Sequence, residues 1–304
     1  MFHVHGLPAA IALGYGTALF MEGWLLDNES RIIYAPDLGI YGAKAFNPFL
    51  SLWTHPENAT VVVFECGTIE LFDLLNPEYH RRAAIPDPTS SGDILYLSEQ
   101  ANLMPYNLRE YTEPLFYGAH YIPRERVGLV FMKPLTKFLI VLQRGVIKVS
   151  NVGILANTTQ SEPEGLGLEI KSPGERVRIT FTALKFAEDT YRISKARYSV
   201  LSSHFVSSPT APEALAEAEK YIKLAKEALG QRKYSSAYRY ALMAWSWALV
   251  AYDVHVMPMI YDLTGTTVVF FSLLLPFALF FERLIFRWEG LRRLLAVVAI
   301  AGMM

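Results

Sequence analysis

The longest hydrophobic run of the chain lies near its C-terminal end and contains no charged side chain. Residues 263–281 are almost entirely apolar, and arginines begin directly afterwards, at Arg283. About twenty apolar residues in helical form cross the ~30 Å hydrocarbon core of a bilayer. The pattern therefore predicts a transmembrane helix over residues 262–283. A buried core helix of a soluble protein is the alternative, although such helices usually carry polar residues along one face.

Four arginines follow this run and predict its orientation. Positively charged segments next to a span are retained in the cytoplasm. We therefore expect the loop 282–293 to be a cytoplasmic anchor at the cell membrane and most of the chain, N-terminal to it, to be extracytoplasmic. The anchoring residues are Arg283, Arg287, Arg292 and Arg293.

Both ends of the chain suggest a longer protein. Residues 294–304 begin a second apolar run that covers only about half of a span, which predicts a truncated second transmembrane helix. Near the N-terminus, residues 7–26 are fairly apolar but include Glu22 and three glycines. No Lys or Arg precedes Arg31, whereas a secretory signal needs a positive start. We interpret this part as strands of a domain whose beginning is missing, and an uncleaved signal remains the alternative.

Residues 1–133 have the pattern of a mixed, β-rich domain. The apolar residues 17–26 and 31–34 flank the turn-forming segment 27–30, which predicts a hairpin. Residues 60–66 form a β-branched run typical of a central strand. Frequent prolines exclude long regular elements in the remainder of this region.

Residues 134–206 have shorter strands separated by regular turns, which predicts a small antiparallel β-sandwich. Residues 138–142 form a continuous apolar run. Residues 177–186 begin with strict alternation of apolar and polar side chains, so the sequence predicts a strand there.

After a proline-rich linker, apolar residues recur at helical spacing. This pattern predicts an α-helical hairpin stalk over residues 210–257. Residue Gly230 is expected to end the first helix, and Pro258 is expected to stop the second just before the membrane. An alanine stripe on the second helix would allow close approach of the two helix axes. The predicted fold class is thus α+β, with a β-rich extracytoplasmic region, a helical hairpin and a C-terminal transmembrane helix.

Composition and charge narrow the function classes. The 304 residues include 28 basic and 29 acidic side chains, so no basic surface favours nucleic acid. The lipid bilayer is the partner that the sequence predicts most directly. The single cysteine, Cys66, excludes an intrachain disulfide, so the body must be stabilised by its own core.

Few residues suggest chemistry, and an enzyme is not the favoured interpretation. The catalytic candidates are carboxylates and histidines: Glu65, Asp73, His80 and His120. Glu65 is more simply explained by pairing with Arg81 or Arg124, or by facing water. The chain has no nucleophile elbow, phosphate-binding loop or zinc helix. His3 and His5 lack further ligands at metal-binding spacing, so neither a cofactor nor a metal site is predicted.

Three triplets match the acceptor pattern for N-glycosylation, which is found in outward-facing loops. They begin at Asn28, Asn58 and Asn157, all within the predicted outer part. Such triplets also arise by chance, so they support the predicted orientation only if these asparagines are exposed.

The apolar segment 270–286, together with the helical hairpin before it, resembles the FtsX-like ABC-type permease family. The resemblance covers about the last hundred residues and rests on the order of outer domain, span, short loop and second apolar run. It implies an ABC-type export or lipoprotein-release permease, or a relative that works without an ATPase. An ATPase partner would be a separate chain, and the loop 282–293 would be its nearest cytoplasmic contact.

Three functions follow from the sequence as hypotheses. The first is a non-enzymatic, membrane-anchored extracytoplasmic protein, either the outer domain and first following span of an FtsX-like permease or a surface binding module. The second is a membrane-tethered extracellular hydrolase, which requires Glu65, Asp73 and a histidine to converge in one cleft. The third is a passive surface-layer or scaffold component.

Overall fold

The computed structural model describes residues 19–20, 23–42, 49–50, 61–74, 101–122, 125–144 and 150–285. Several predictions concern residues outside these ranges. They are the histidines at positions 3, 5 and 80, the acceptor Asn58, the three arginines that follow Arg283, and the second apolar run at 294–304.

Thirteen strands are present in the described part of the chain, and they form antiparallel and mixed sheets. Together with the helices, these sheets confirm the predicted α+β class. In chain order the strands are β1 Leu19–Phe20, β2 Leu25–Leu26, β3 Ile32–Pro36, β4 Phe49–Leu50, β5 Val63–Glu65, β6 Gly67–Leu71, β7 Ala101–Asn107, β8 Tyr117–Ile122, β9 Val127–Met132, β10 Lys137–Arg144, β11 Ser150–Leu155, β12 Leu168–Glu169 and β13 Arg176–Ile179.

Strand β10 is the centre of one sheet. It pairs antiparallel with β7 on one side and with β11 and β12 on the other. Successive side chains of a strand point to opposite faces. Accordingly, Phe138, Ile140 and Leu142 enter the main core, whereas Leu139 and Val141 enter a second, smaller cluster. Burial on both faces explains the continuous apolar run of this strand.

A second sheet has the order β13-β6-β9-β8, in which β13 runs parallel to β6 and the other pairs are antiparallel. Strands β2, β3 and β5 form a third sheet, and β1 pairs with β4. The predicted hairpin is confirmed, since β2 pairs antiparallel with β3. Its turn is held by Asp27, whose Oδ1 accepts hydrogen bonds from the Glu29 and Arg31 amides at 2.9 and 2.8 Å.

The strand predicted over residues 177–186 is wrong beyond Ile179, because a helix begins at Thr182. Helix α1 covers Thr182–Ser203. The Thr182 hydroxyl donates to the Ile179 carbonyl at 3.0 Å, and from there buried positions recur every three or four residues, as at Ala183, Ala187 and Thr190. The early alternation had hidden this helical period.

The predicted small β-sandwich over residues 134–206 is not confirmed. Strands β10, β11 and β12 share a sheet with the earlier strand β7, while β13 joins the other sheet beside β6. Helix α1 occupies the end of the range. The region is therefore continuous with the β-rich part before it, through sheet pairing that links residues far apart in sequence.

Helix α2 covers Ala211–Gly230 and helix α3 covers Tyr234–Leu249. The two helices contact each other and both contact α1. The predicted stalk is not confirmed as a separate unit, because α2 and α3 bury their alanine-rich faces in the main core. Phe186 of α1 stacks on Trp245 of α3 with ring centroids 4.9 Å apart, close to Gly153 of β11.

Pro258 does not end the helix, contrary to the prediction. A π-helical segment, Val250–Val256, follows α3 directly, and helix α4, Met257–Ile285, follows that segment. The Met257 amide donates to the Tyr252 carbonyl, five residues back. Proline has no N–H to donate, and it is tolerated in the first turn of a helical segment. The shifted register of the π segment just before Pro258 thus allows the helix to continue.

The second half of this long helix is apolar, as the sequence predicts, and most of its side chains are exposed. Within the described residues, one helix is long and apolar enough to cross a membrane, by length and composition. Most of its large side chains between residues 261 and 284 are exposed, including Phe271 at 66%. The segment is therefore not enclosed by the folded body, unlike a soluble core helix.

Candidate functional site

The residues singled out as catalytic candidates are separated in the fold. Glu65 is exposed on β5, opposite Tyr34 of β3. Asp73 is exposed after β6, and His120 is exposed on β8, where its ring lies 6.3 Å from the Trp24 ring. Asp73 and His120 line different cavities. The described residues thus do not show the convergence that the hydrolase hypothesis requires.

The described ranges contain no group of three or more His, Cys, Asp or Glu side chains that could hold a metal ion. Of the glycosylation candidates, Asn28 and Asn157 are both exposed, as an acceptor must be. Asn157 has a positive φ of 53°, and its Nδ2 donates to the Gly167 carbonyl at 3.3 Å. Arg283 is exposed in the last turn of α4.

Among the described residues, a cavity of about 700 Å³ lies where α3 begins, and we call it the distal cleft. The Tyr238 hydroxyl donates to the Asp73 carbonyl at 3.0 Å, and the Tyr238 ring meets Phe181 edge-on at 5.6 Å. Burial raises the pKa of Tyr238, so this phenol stays protonated at neutral pH. The residues that line the distal cleft are Asp73, Arg126, Thr180, Phe181, Leu229, Tyr234, Ser235, Tyr238, Arg239 and Leu242.

A second cavity, about 360 Å³, lies at the other end of the helices, and we call it the proximal cleft. Its apolar floor consists of Leu139 and Val141 of β10, Ile154 of β11 and Ile193 of α1. All four side chains are buried and belong to the smaller hydrophobic cluster. The remaining lining residues are Tyr106, Tyr111, Gln143, Asn151, Ala156, Glu164, Arg197, Tyr252 and Met257.

Arg197 closes one side of the proximal cleft. Its Nη2 and Nε donate to the two carboxylate oxygens of Glu164 at 2.7 and 2.9 Å. Its Nη1 also donates to the Tyr252 hydroxyl at 3.3 Å and lies 3.9 Å from the Met257 sulfur. The hydrogen bonds that Arg197 donates to Glu164 raise the pKa of Arg197. One side chain thereby connects α1, the loop 156–167 and the end of the π segment.

Apart from Arg197 and Glu164, the polar groups that line the proximal cleft are uncharged. The Gln143 amide Nε2 donates to the Tyr106 hydroxyl and to Asn151 Oδ1, both at 3.1 Å. Burial raises the pKa of Tyr252, so its hydroxyl remains a neutral donor and acceptor at neutral pH. A buried apolar floor with a few placed polar groups is the usual composition of a small-molecule site.

A buried carboxylate holds the loop that carries Glu164. Asp189 of α1 is 1% exposed, and its Oδ2 accepts from the Ala156 and Asn157 amides, both at 2.8 Å. Its Oδ1 accepts from the Thr158 amide and hydroxyl at 3.1 and 2.6 Å. Burial raises the pKa of Asp189, while these four hydrogen bonds favour its charged form. The loop is therefore fixed to α1 and positions Glu164 for Arg197.

The two clefts lie at very different distances from the exposed apolar helix. A helix rises 1.5 Å per residue, so Met257 of the proximal cleft is roughly 9 Å before Leu263 along the axis. Tyr238 of the distal cleft is roughly 38 Å before it. The proximal cleft therefore lies beside the start of the apolar segment, and one wall of it, Tyr252, belongs to the π segment.

Comparison with protein-family models, with curated proteins and with solved structures finds no match for this chain. The resemblance to FtsX-like permeases consequently remains a prediction. The function must be argued from the geometry of the clefts and of the long helix.

Sequence reasoning missed the residues that build the proximal cleft. Glu164 and Arg197 are 33 positions apart, and neither belongs to a recognisable motif. Asp189 lies in a segment, residues 183–193, that mixes apolar and charged side chains, so composition alone does not single it out. Such a residue is expected to be hydrogen-bonded when buried, but only the helical period of this segment would have placed it inside.

Proposed function

We propose that this protein is a membrane-anchored, extracytoplasmic binding module whose folded body is rigidly joined to its span. The observation that supports this function is one unbroken helical path from Tyr234 to Ile285. Its first part is buried in the core of the body, and its second part is exposed, apolar and long enough to cross a bilayer.

The joint between body and span is stiff because α3 is fixed on several sides. Trp245, Ala244 and Ala248 are fully buried, and Trp245 packs against Phe186 of α1. Close-packed protein interiors have low compressibility and transmit strain. A movement of the body is therefore passed to the span through the π segment, where Tyr252 contacts Arg197.

The proposed orientation places the body outside the cytoplasm. Arg283 lies at the C-terminal end of α4, and three further arginines follow within the next ten residues of the sequence. Short basic segments next to a span stay inside. The exposure of Asn28 and Asn157 is compatible with this orientation.

The finer hypothesis is that this module is the outer domain of an FtsX-like permease, with the continuous helix from α3 to α4 joining the body to the membrane. It predicts a separate ATPase partner on the cytoplasmic side. The order of elements supports it: a folded body, then a span, then a basic segment. Binding is favoured over hydrolysis because Asp73 and His120 line different cavities, whereas the proximal cleft has the composition of a ligand site.

Cysteine labelling in intact cells tests the orientation. The native thiol should contribute little background labelling, because Cys66 is fully buried and burial raises its pKa to about 12. Asn28→Cys places a thiol on the exposed hairpin of the body, and Leu284→Cys places one at the far end of α4.

We expect a membrane-impermeant maleimide to label Asn28→Cys in intact cells and Leu284→Cys only after permeabilisation. The reverse pattern would contradict the orientation. Recovery of the protein in the soluble fraction, with both positions equally reactive, would contradict membrane anchoring itself.

A further inference from the structure

We propose that the proximal cleft binds one hydrocarbon chain of a bilayer lipid that carries no net charge, with the lipid head at the polar rim. This inference rests on the proposed membrane anchoring and adds a ligand class to it. It follows from the lining of the cleft, from its charge balance and from its distance to the apolar helix.

The floor of the cleft suits an alkyl chain. Leu139, Val141, Ile154 and Ile193 come from two strands and one helix, and none of them carries a polar atom in its side chain. Their cluster is separate from the main core, on the other face of β10. A volume of about 360 Å³ lies in the range of ligand sites.

The charge balance of the cleft favours a lipid without net charge. The guanidinium of Arg197 is already paired with both oxygens of Glu164, so the cation offers little uncompensated charge to an anionic head. The other polar groups are neutral: the tyrosine hydroxyls, the Gln143 amide and the Asn151 amide. These groups can donate to and accept from ester, hydroxyl or phosphodiester oxygens.

The membrane is close enough to supply such a chain. Each leaflet contributes roughly 15 Å of the hydrocarbon core, so a lipid chain is longer than the roughly 9 Å between Met257 and the first residues of the apolar run. Tyr261, between them, is 67% exposed and has an amphipathic ring suited to the headgroup level. A lipid of the adjoining leaflet can therefore place one chain in the cleft with its head at the polar rim.

Occupancy of the cleft would act on the long helix. Tyr252 and Met257 form one wall, and both contact Arg197. Single π turns within α-helices occur frequently at functional sites. A chain lodged against Tyr252 thus contacts the segment through which the body is joined to the span, and the module would sense the lipid beside it.

Photo-cross-linking in nanodiscs tests the inference. The full chain is incorporated into phosphatidylcholine nanodiscs that contain a phosphatidylcholine with a diazirine on one acyl chain. Cross-linked peptides are then identified by mass spectrometry. We expect cross-links to the peptides that carry Ile154 and Ile193, in addition to those of α4.

The variant Asn151→Trp adds an indole at the exposed mouth of the cleft, and Ser235→Trp makes the matched change at the exposed mouth of the distal cleft. We expect Asn151→Trp to lower the cleft cross-links roughly tenfold, equivalent to about 1.4 kcal/mol of binding free energy. Ser235→Trp should leave them unchanged. Excess unlabelled lysophosphatidylcholine should compete with the labelled chain in the unaltered protein, a readout that needs no variant to fold.

Several outcomes would overturn the inference. Cross-links confined to α4, or cleft cross-links that survive both Asn151→Trp and the competitor, would exclude a bound chain. A phosphatidylglycerol probe that labels the cleft more strongly than phosphatidylcholine would contradict the preference for no net charge. A protein that does not enter nanodiscs at all would overturn the membrane anchoring as well, whereas a protein that inserts without cleft labelling overturns the ligand alone.

Discussion

The two halves of the long helix have similar backbones and very different surroundings. Residues 234–249 lie within the folded body, where small side chains such as Ala241 and Ala244 are fully buried beside Trp245. Residues 263–281 have larger apolar side chains, and most of them are exposed. The less hydrophobic half is the buried one, so hydrophobicity alone does not identify a protein core.

The difference lies in how each half matches its neighbours. The body half has alanines along one stripe, which allow α1 and α2 to approach closely, and polar residues on other faces. The apolar half has no charged face at all between Leu263 and Phe281. A helix with one contact stripe is built to pack against protein, whereas a helix that is apolar all round is built to be surrounded by an apolar solvent.

The largest expected effect comes from truncating an aromatic ring in each half. Trp245→Ala removes a fully buried ring and should lower the free energy of unfolding of the body by about 3–5 kcal/mol. Phe271→Ala, on an exposed ring, should change it by less than about 0.5 kcal/mol. Denaturant unfolding followed by near-ultraviolet circular dichroism measures both. Comparable losses in the two variants would mean that the halves share one environment.

A charge placed in each region should have the next largest effect. Leu273→Arg puts an arginine in the middle of the apolar half, at a cost of about 2.5–3.5 kcal/mol for membrane insertion. The matched control is Val200→Arg on α1, since both wild-type residues are 61% exposed. Membrane fractionation should show loss of insertion for Leu273→Arg and none for Val200→Arg. Normal membrane recovery of Leu273→Arg would indicate that this face does not meet lipid.

Glycine-to-alanine changes compare the packing of the two regions. A Cβ at Gly153 would lie 2.7 Å from the Phe186 ring and 2.9 Å from the Trp245 ring, whereas Gly265 has nothing within 4 Å of that position. We expect Gly153→Ala to destabilise the body by about 1–3 kcal/mol through overpacking. Gly265→Ala should be neutral or favourable by up to about 1 kcal/mol, because alanine is the better helix former. Thermal unfolding distinguishes these signs, and a harmless Gly153→Ala would contradict the described core.

The smallest expected effect is a pH dependence confined to the body. The Tyr191 hydroxyl and nearby lysines bind the Glu219 carboxylate and lower its pKa to about 2. Its contribution to stability is present above the unfolded pKa of about 4.3 and is lost as the pH falls toward 2. Because Glu219 is partly exposed, we expect less than about 1 kcal/mol. Glu219→Gln should flatten the stability profile in this window, and an unchanged profile would exclude the contribution.

The sequence predicted the local features well, because their causes are local. The turn at 27–30 forms as predicted because Asp27 hydrogen-bonds its own neighbours, and residues 138–142 form a strand because both faces of β10 are buried. The apolar length of 263–281 likewise predicted a helix able to cross a membrane. In each case the deciding interaction is within a few residues or depends on hydrophobicity alone.

The errors came where distant contacts or register decide the structure. The alternation of residues 177–183 mimicked a strand that ends at Ile179, and only the packing of Phe186 against Trp245 shows why a helix follows. Pro258 was predicted to stop the helix, but a π turn just before it shifts the hydrogen-bond register. The pair Arg197–Glu164 depends on a loop folded back by Asp189, which no local pattern encodes.

The environment of the long helix can be measured residue by residue with spin labels. Single nitroxides are placed along residues 240–283 of the protein in liposomes, and their collisions with oxygen and with a water-soluble nickel complex are recorded. We expect buried positions near Trp245 to be protected from both reagents and positions 263–281 to be accessible to oxygen but not to nickel. Access of the nickel complex along 263–281 would show that this half lies in water, and the membrane anchoring would then be wrong.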